Sequence, residues 1–499
     1  MEATFWALVP PLLAIIISLI TKEVNLSLFT GILVGALLLA GGNPFKTVET
    51  VFSIMADKVQ GNMGVLIFII LLGMIVYLMN RSGATGRYAQ WASRRIRGRR
   101  ATLLSTMLLG IVAFVDDYFN CLTVGTVMRP IADRNRISRE KLAYVIDSTA
   151  APICIIAPIS SWAAAVSSYI PEGSGIDGFS LFLKTIVFNY YTWFSLALIF
   201  ITSLLTADFG KMRVYELAAA AGDKKADTAE EETQSEGKGR VIDLILPVAA
   251  LIVFSIICML YTGGLFSGDA SGIGDAFANC DAISALAMGA LFTVLFLAIL
   301  YLPRKIVTPK VFLDGLVEGF KHMVPATLIL VLAWTLGGIC GAGYLDAGGF
   351  VSQFVSQNNI SLNFVPVLFF LIALVLAFST GTSWGTFAIL IPIAVAVFQD
   401  EMTPLMIMTT AAVLGGGVCG DHLSPISDTT ILSSTGAGCD HIKHVETQLP
   451  YGLLVAFMTA LCYLLSGVLH VNVWLTLLIG VGGLLGFVVL SRIYYAKKA

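Results

Sequence analysis

Four aspartates stand in stretches that are otherwise apolar: the adjacent pair Asp116 and Asp117, and Asp421 and Asp428 on either side of Ser424-Pro425-Ile426-Ser427. A carboxylate near the centre of a bilayer costs about 2.5–3.5 kcal/mol on insertion scales, so acids kept there serve function rather than packing. When ionised, such a group coordinates a hard cation. When the cation leaves it takes up a proton, because burial disfavours the charged form. Competition between Na⁺ and H⁺ for one carboxylate is sufficient for exchange.

Further oxygen donors gather around the same breaks. They are Asn120 after the first pair, Ser160 and Ser161 after Pro158, Ser379, Thr380, Thr382 and Ser383 around Gly381, and Ser424, Ser427 and Thr429 around Pro425. Carbonyls freed at a helix break and nearby hydroxyls suit Na⁺, whereas half-helix amino ends favour anionic groups. For a Na⁺ ion the expected ligands are Asp428, Asp421 and Thr382, with Asp428 ranked first because it follows Pro425 in the break. Against this stand plainer readings. An aspartate can simply cap the next half-helix, and a membrane hydroxyl can bond back to its own helix. His422 either relays protons, contacts a substrate or is a satisfied structural group. His441 and His444 flank Lys443 at a helix end and read as surface residues. Trp162 and Trp384 wall the site or pack, and Tyr190, Tyr191 and Trp193 look like an interfacial belt.

The elements that must hold these residues follow from composition. The 499 residues are 57% hydrophobic and 12% charged, with formal net charge −2, and the mean hydropathy is +0.86. Soluble domains carry roughly 25% charged residues, so this is an all-α polytopic membrane protein, and no basic excess suggests nucleic acid. Glu2 alone precedes the first apolar run, which reads as a first span rather than a cleaved leader. No C-x-x-C pair occurs among the eight cysteines, which read as small buried hydrophobes.

Spans are expected near 4–21, 25–42, 63–80, 181–206, 241–262, 282–302, 323–340, 447–469 and 472–491. Two more, 141–170 and 405–438, are broken helices. In the latter the middle, including Gly415-Gly416-Gly417, is expected to unwind. The runs 101–131 and 362–398 have polar breaks and halves too short to cross, so they read as re-entrant hairpins with tips at 116–120 and 379–385. Residues 81–100 hold seven arginines and no acid, whereas no Lys or Arg occurs from 322 to 442. By the positive-inside rule the two hairpins then enter from opposite faces. The fold expected is an inverted-topology repeat of about 11 transmembrane helices with two hairpins and two broken helices. The first repeat covers 1–207, a flexible cytoplasmic linker 208–240, the second repeat 241–470, and an extra peripheral span with a cytoplasmic tail 471–499.

Two motif matches are set aside. Gly381-Thr-Ser383-Trp-Gly385 fits the G-x-S-x-G elbow of hydrolases, which needs a strand before it. Gly272-Ile-Gly274-Asp275 resembles an intramembrane protease motif but lies in a polar loop. No Walker motif is present. The chain is therefore not expected to be an enzyme, and no cofactor is expected.

Phe114-Val-Asp-Asp-Tyr-Phe-Asn120, Ala157-Pro-Ile-Ser-Ser161, Gly381-Thr-Ser-Trp-Gly-Thr386 and Gly420-Asp-His-Leu-Ser-Pro-Ile-Ser-Asp-Thr-Thr430 resemble the NhaC-type sodium/proton antiporter family, within the ion transporter superfamily. The resemblance implies a transport domain of hairpins and broken helices moving against a scaffold, in a homodimer in the inner cell membrane, with elevator-like alternating access. The expected function is sodium/proton antiport at a midplane carboxylate site. The alternative is Na⁺- or H⁺-coupled transport of a small organic acid, amino acid or amine. Membrane lipid is the remaining expected partner.

Overall fold

Proline and glycine punctuate the apolar runs, and capping side chains such as Asn43, Ser138 and Thr403 mark where several helices begin. In the computed structural model, residues 4–497 are described apart from 22, 85–86, 88–94, 172–173, 223–237, 271, 274–275, 277–278, 342, 348–349, 351–360, 399–400 and 426. The described chain is helical, with no strand among the described residues. A 3-10 turn at Phe5–Leu8 precedes α1 (Val9–Thr21), α2 (Val24–Leu39), α3 (Pro44–Gly61) and α4 (Met63–Arg81). The first hairpin is α5 (Arg99–Val112) and α6 (Asp117–Arg134). The first broken helix is α7 (Arg139–Cys154) and α8 (Ser161–Ser168), followed by α9 (Gly178–Phe188), α10 (Tyr190–Leu205) and α11 (Gly210–Ala221). The second half opens with α12 (Ile242–Thr262), α13 (Ala282–Tyr301) and the long α14 (Pro309–Cys340). Its hairpin is α15 (Val365–Thr380) and α16 (Ser383–Val397), and its broken helix is α17 (Pro404–Leu423) and α18 (Asp428–Ala437). Helices α19 (His441–Val468) and α20 (Val473–Ala496) complete the chain.

Among the described residues, eight helices are long and apolar enough to cross a membrane, or up to ten if each sharply bent pair is one span. The chain is a multi-pass membrane protein. Eleven crossings are expected from the sequence; the runs 4–21 and 141–170 fall short of a span, and the run 181–206 is shortened at its start but keeps one over Tyr190–Ala221. The run 4–21 becomes a 3-10 turn and a helix of 13 residues. The run 181–206 is two helices, because Asn189 ends α9 and its side chain accepts from Thr192 N to start α10. The run 141–170 is divided between Cys154 and Ser161. Conversely, Leu362–Thr380 is 19 residues long and qualifies as a span by length and composition, so that leg of the second hairpin is not too short to cross.

Helix packing sorts the elements into two bundles. Helices α12 and α13 pack together, α4 packs on α13 and α14, and α2 joins α1, α3 and α14. The second bundle holds both hairpins, both broken helices, α9 to α11, α19 and α20. Across the boundary the main pairings are α14 with α16, α1 with α15 and α4 with α8. Most of α17 is enclosed, whereas most of α20 is not. The latter helix lies at the periphery, with Leu478 and Leu490 facing outward.

The bases of the two hairpins lie at opposite ends of α19. At its start, Gly98 N donates to Asn135 Oδ1 at 2.7 Å, closing the first hairpin. Arg139 beside it donates to the Gly438 carbonyl at 2.9 Å. At its far end, Gly467 approaches the Asn363 carbonyl at the base of the second hairpin.

Residues 208–221 of the expected flexible linker are ordered, and 223–237 lie outside the described residues. Helix α11 is held by the Glu216 carboxylate, which accepts from Arg99 and from Ser138 N. Asp208 pairs with the fully buried Lys141 at 2.7 Å. Arg94 also lies outside the described residues.

Candidate functional site

Each broken helix is interrupted by one device. Pro158 and Pro425 remove a backbone donor, and the serine that follows each two residues later caps the next half-helix. Ser160 Oγ accepts from Ala163 N at 3.1 Å. Ser427 Oγ accepts from Thr430 N at 3.3 Å. The second break spans 424–427 and is shorter than expected. Gly415, Gly416 and Gly417 do not unwind, since α17 runs helically through them to Leu423. They serve close approach instead. A Cβ on Gly416 would lie 2.4 Å from the Phe370 carbonyl of α15, and one on Gly417 would lie 2.4 Å from the Phe387 ring of α16.

These contacts bring the breaks and hairpin tips together. Asp116 and Asp117 are buried at the turn between α5 and α6, and Ser161 Oγ donates to Asp116 Oδ2 at 3.4 Å. Asp421, in the last turn of α17, is also buried, and its Oδ2 accepts from Ser383 Oγ at 3.0 Å. Its Oδ1 is buried with no hydrogen-bond partner. Asp428 is exposed, and its Oδ2 accepts from the Tyr118 hydroxyl at 3.2 Å. It is not the cap of α18, because Ser427 is. The Tyr118 hydroxyl stands in the field of all four carboxylates. Trp162 and Trp384 meet edge to face with ring centroids 5.9 Å apart, and the buried Trp162 Nε1 has no hydrogen-bond partner.

Several expected ligands are occupied elsewhere. Thr380 Oγ1 bonds back to the Leu376 carbonyl at 2.9 Å. Ser160 also donates to the Cys154 carbonyl at 2.8 Å, tying the two half-helices together. Asn120 Nδ2 donates to the Gly110 carbonyl at 2.7 Å and staples the first hairpin, leaving its buried Oδ1 unpartnered. Ser427 Oγ and Thr429 Oγ1 bond each other at 3.0 Å. Ser424 N caps back to the Asp421 carbonyl at 3.0 Å. Thr382 sits half-buried in the turn before α16, where its carbonyl accepts from Thr386 Oγ1, and Ser379 is half-buried nearby. Among the described residues, no three His, Cys, Asp or Glu side chains stand close enough to hold a metal ion together. A cation here would rely on one carboxylate supplemented by hydroxyl and carbonyl oxygens.

His422 turns away from the break, and its Nδ1 lies 3.0 Å from the Tyr191 hydroxyl. Tyr190 and Tyr191 are buried and bonded to Ser466 and His422, so they are not an interfacial belt, although Trp193 is exposed. Nor is His444 a surface residue. It is fully buried, with Nε2 3.4 Å from Asp147 Oδ2. His441 braces the break, its Nε2 lying 2.6 Å from the Pro425 carbonyl. Asp147 meets the same criterion as the other four acids, since it too is an acid inside a largely apolar run. Gln448 and Tyr118 carried no such signal. Gly381 is the left-handed cap of α15 and Ser383 opens α16, so the hydrolase-like motif lies between two helices.

The arrangement agrees with what this chain is similar to. An uncharacterised protein of Haemophilus influenzae is 38% identical over 488 residues, covering 93% of this chain and 91% of that protein. The malate-2H(+)/Na(+)-lactate antiporter of Bacillus subtilis is 31% identical over 186 residues, covering 36% of this chain and 38% of that one. The solved structure of the Alcanivorax borkumensis YdaH transporter has a TM-score of 0.56 at 11% identity, over 84% of this chain and 88% of that one, a likeness of fold. The profile of the Na+/H+ antiporter family matches residues 153–468. With helical breaks, facing hairpins and that match, the chain belongs to the Na+/H+ antiporter family, whose members are secondary transporters.

Proposed function

We propose that the protein exchanges Na⁺ for H⁺ across the inner cell membrane by alternating access. The cation sits at Asp421, with Asp428 and the Asp116–Asp117 pair guiding it in. One observation carries this reading: Asp421 Oδ1 is buried and has no hydrogen-bond partner. A buried carboxylate oxygen left bare is costly, and either a bound cation or a proton relieves that cost. Those are the two species an antiporter must let compete. Asp428, exposed and bonded to Tyr118, stands at the rim of the same break.

The halves act as an inverted repeat on this reading, supported by hairpin bases at opposite ends of α19. The bundle holding the breaks moves against the α1–α4 and α12–α14 bundle, elevator-like, in a homodimer. The few main pairings between the bundles favour such a displacement. The second reading, exchange of a small organic acid, draws on the relative named for malate and lactate and on the hydroxyls at Ser379 and Thr382.

Proteoliposomes separate the two. With the full chain reconstituted and an imposed ΔpH, addition of Na⁺ alone should dissipate the gradient. Indifference to Na⁺, together with thermal stabilisation by malate or lactate, would reject cation exchange in favour of the organic solute.

A further inference from the structure

One polar cluster lies apart from the four carboxylates and takes no part in the exchange described so far. Asp147, fully buried in α7, accepts at Oδ2 from Gln448 Nε2 at 2.6 Å and from Thr430 Oγ1 at 3.2 Å, and at Oδ1 from Ser433 Oγ at 3.3 Å. His444 Nε2 is 3.4 Å away. Gln448 Nε2 also donates to the His422 carbonyl at 2.7 Å. Both of its acceptors lack hydrogens, which fixes the orientation of the amide. Three donors aimed at one carboxyl suit the ionised form. A buried ion needs a counter-charge.

His444, at 3.4 Å, is the nearest group able to supply it. Lys141, on the same helix, is bound to Asp208. Arg139 is turned to Asp133 and the Gly438 carbonyl. From α6 the facing group is Cys121, and from α17 they are Asp421 and His422, the latter hydrogen-bonded to Tyr191. His444 therefore stands as the partner of the Asp147 carboxylate.

We propose that Asp147 and His444 form a second proton-binding site, separate from the carboxylates of the break and mechanically joined to them. The join is the hydrogen bonding itself. Gln448 holds the last turn of α17 through the His422 carbonyl, while Thr430 and Ser433 belong to the first turns of α18. Both sides of the break are thus fastened to this pair. Protonation that completes the pair tightens the break, and a cation that reshapes the break disturbs the pair. Such coupling is reciprocal. This proposal rests on the antiport reading for its role in transport, but not for the existence of the site.

The test has two arms on the full chain in detergent and in proteoliposomes. In cation-free detergent, a dye-monitored titration between roughly pH 5 and pH 8 should show His444→Gln and Asp147→Asn each binding about one proton fewer than the wild type. Equal proton uptake in wild type and both variants overturns the site, whatever the protein transports. In proteoliposomes, His444→Gln should keep Na⁺-driven exchange at alkaline pH and lose the steep fall on acidification. A pH profile superimposed on wild type, or loss of exchange at every pH by a folded variant, overturns the coupling. A wild type that does not respond to Na⁺ refutes the antiport reading and leaves the titration result standing. A merely structural pair would lower the melting temperature and change neither readout.

Discussion

The two broken helices use the same backbone device and carry opposite chemistry. Pro158 with Ser160 and Pro425 with Ser427 interrupt and restart the helix in matching fashion. The first residue after each cap differs. It is Ser161 in one case, a neutral donor to Asp116, and Asp428 in the other, an exposed acid bonded to Tyr118. Upstream, the second helix carries its acid in its last turn, at Asp421, with one oxygen unpartnered. The first helix carries its acid, Asp147, deeper, where hydrogen bonds enclose it. On the antiport reading proposed above, one interruption presents an unpartnered carboxylate oxygen to a passing ion, while the other supplies neutral donors to a neighbour's charge.

The comparison is broken most directly by charge removal. Asp421→Asn should lower Na⁺-driven exchange at least tenfold, since a charged ligand contributes about 1.5–3 kcal/mol and 1.4 kcal/mol is a factor of about ten. Ser161→Ala, in the other break, should slow exchange by only about twofold to fivefold, because its bond to Asp116 joins a neutral donor to a charge and is long at 3.4 Å. Equal losses in initial rates from everted vesicles would mean that the breaks are interchangeable.

A smaller effect is expected at the glycines that hold α17 against its neighbours. Gly416→Ala places a Cβ 2.4 Å from the Phe370 carbonyl, and overpacking of this kind costs about 1–3 kcal/mol. Gly482→Ala on the peripheral α20, with nothing within 4 Å, should leave the melting temperature unchanged. A melting curve for Gly416→Ala matching wild type would show that the α15–α17 contact is loose.

The smallest effect tests the caps. Ser160→Ala and Ser427→Ala each remove a cap worth about 0.5–2 kcal/mol. Both should lower thermal stability by similar amounts, while Ser427→Ala alone weakens apparent Na⁺ affinity, since Ser427 adjoins Asp428. If Ser160→Ala weakens it equally, the division of labour between the breaks fails.

Much of this was legible from residue order. Proline followed by serine located both interruptions, and isolated acids in apolar surroundings pointed to Asp116, Asp117, Asp421 and Asp428. The hairpin tips at Asp116 and Gly381 followed from polar residues in runs of limited length. What was hidden depends on partners far apart in the chain. Three consecutive glycines look like unwinding in isolation, yet α15 and α16 press so closely on α17 that only glycine fits. His444 sits beside Lys443 in sequence, but helical rotation carries it to the interior face, where Asp147 awaits it from a position 297 residues earlier. Tyr191 resembles an interfacial aromatic until His422 is seen against it. Local pattern reports where a helix stops; it does not report which side of the helix another segment will cover.

Where α6 crosses α18, Gly125 and Gly436 meet with no side chain between them, and a Cβ on the former would fall 2.6 Å from the latter's backbone. Two segments more than three hundred residues apart are thereby seated main chain to main chain, like a tenon in its mortise. A tilt of either would press on the other, so the Asp116–Asp117 turn and the Asp428 half-helix are packed to move together.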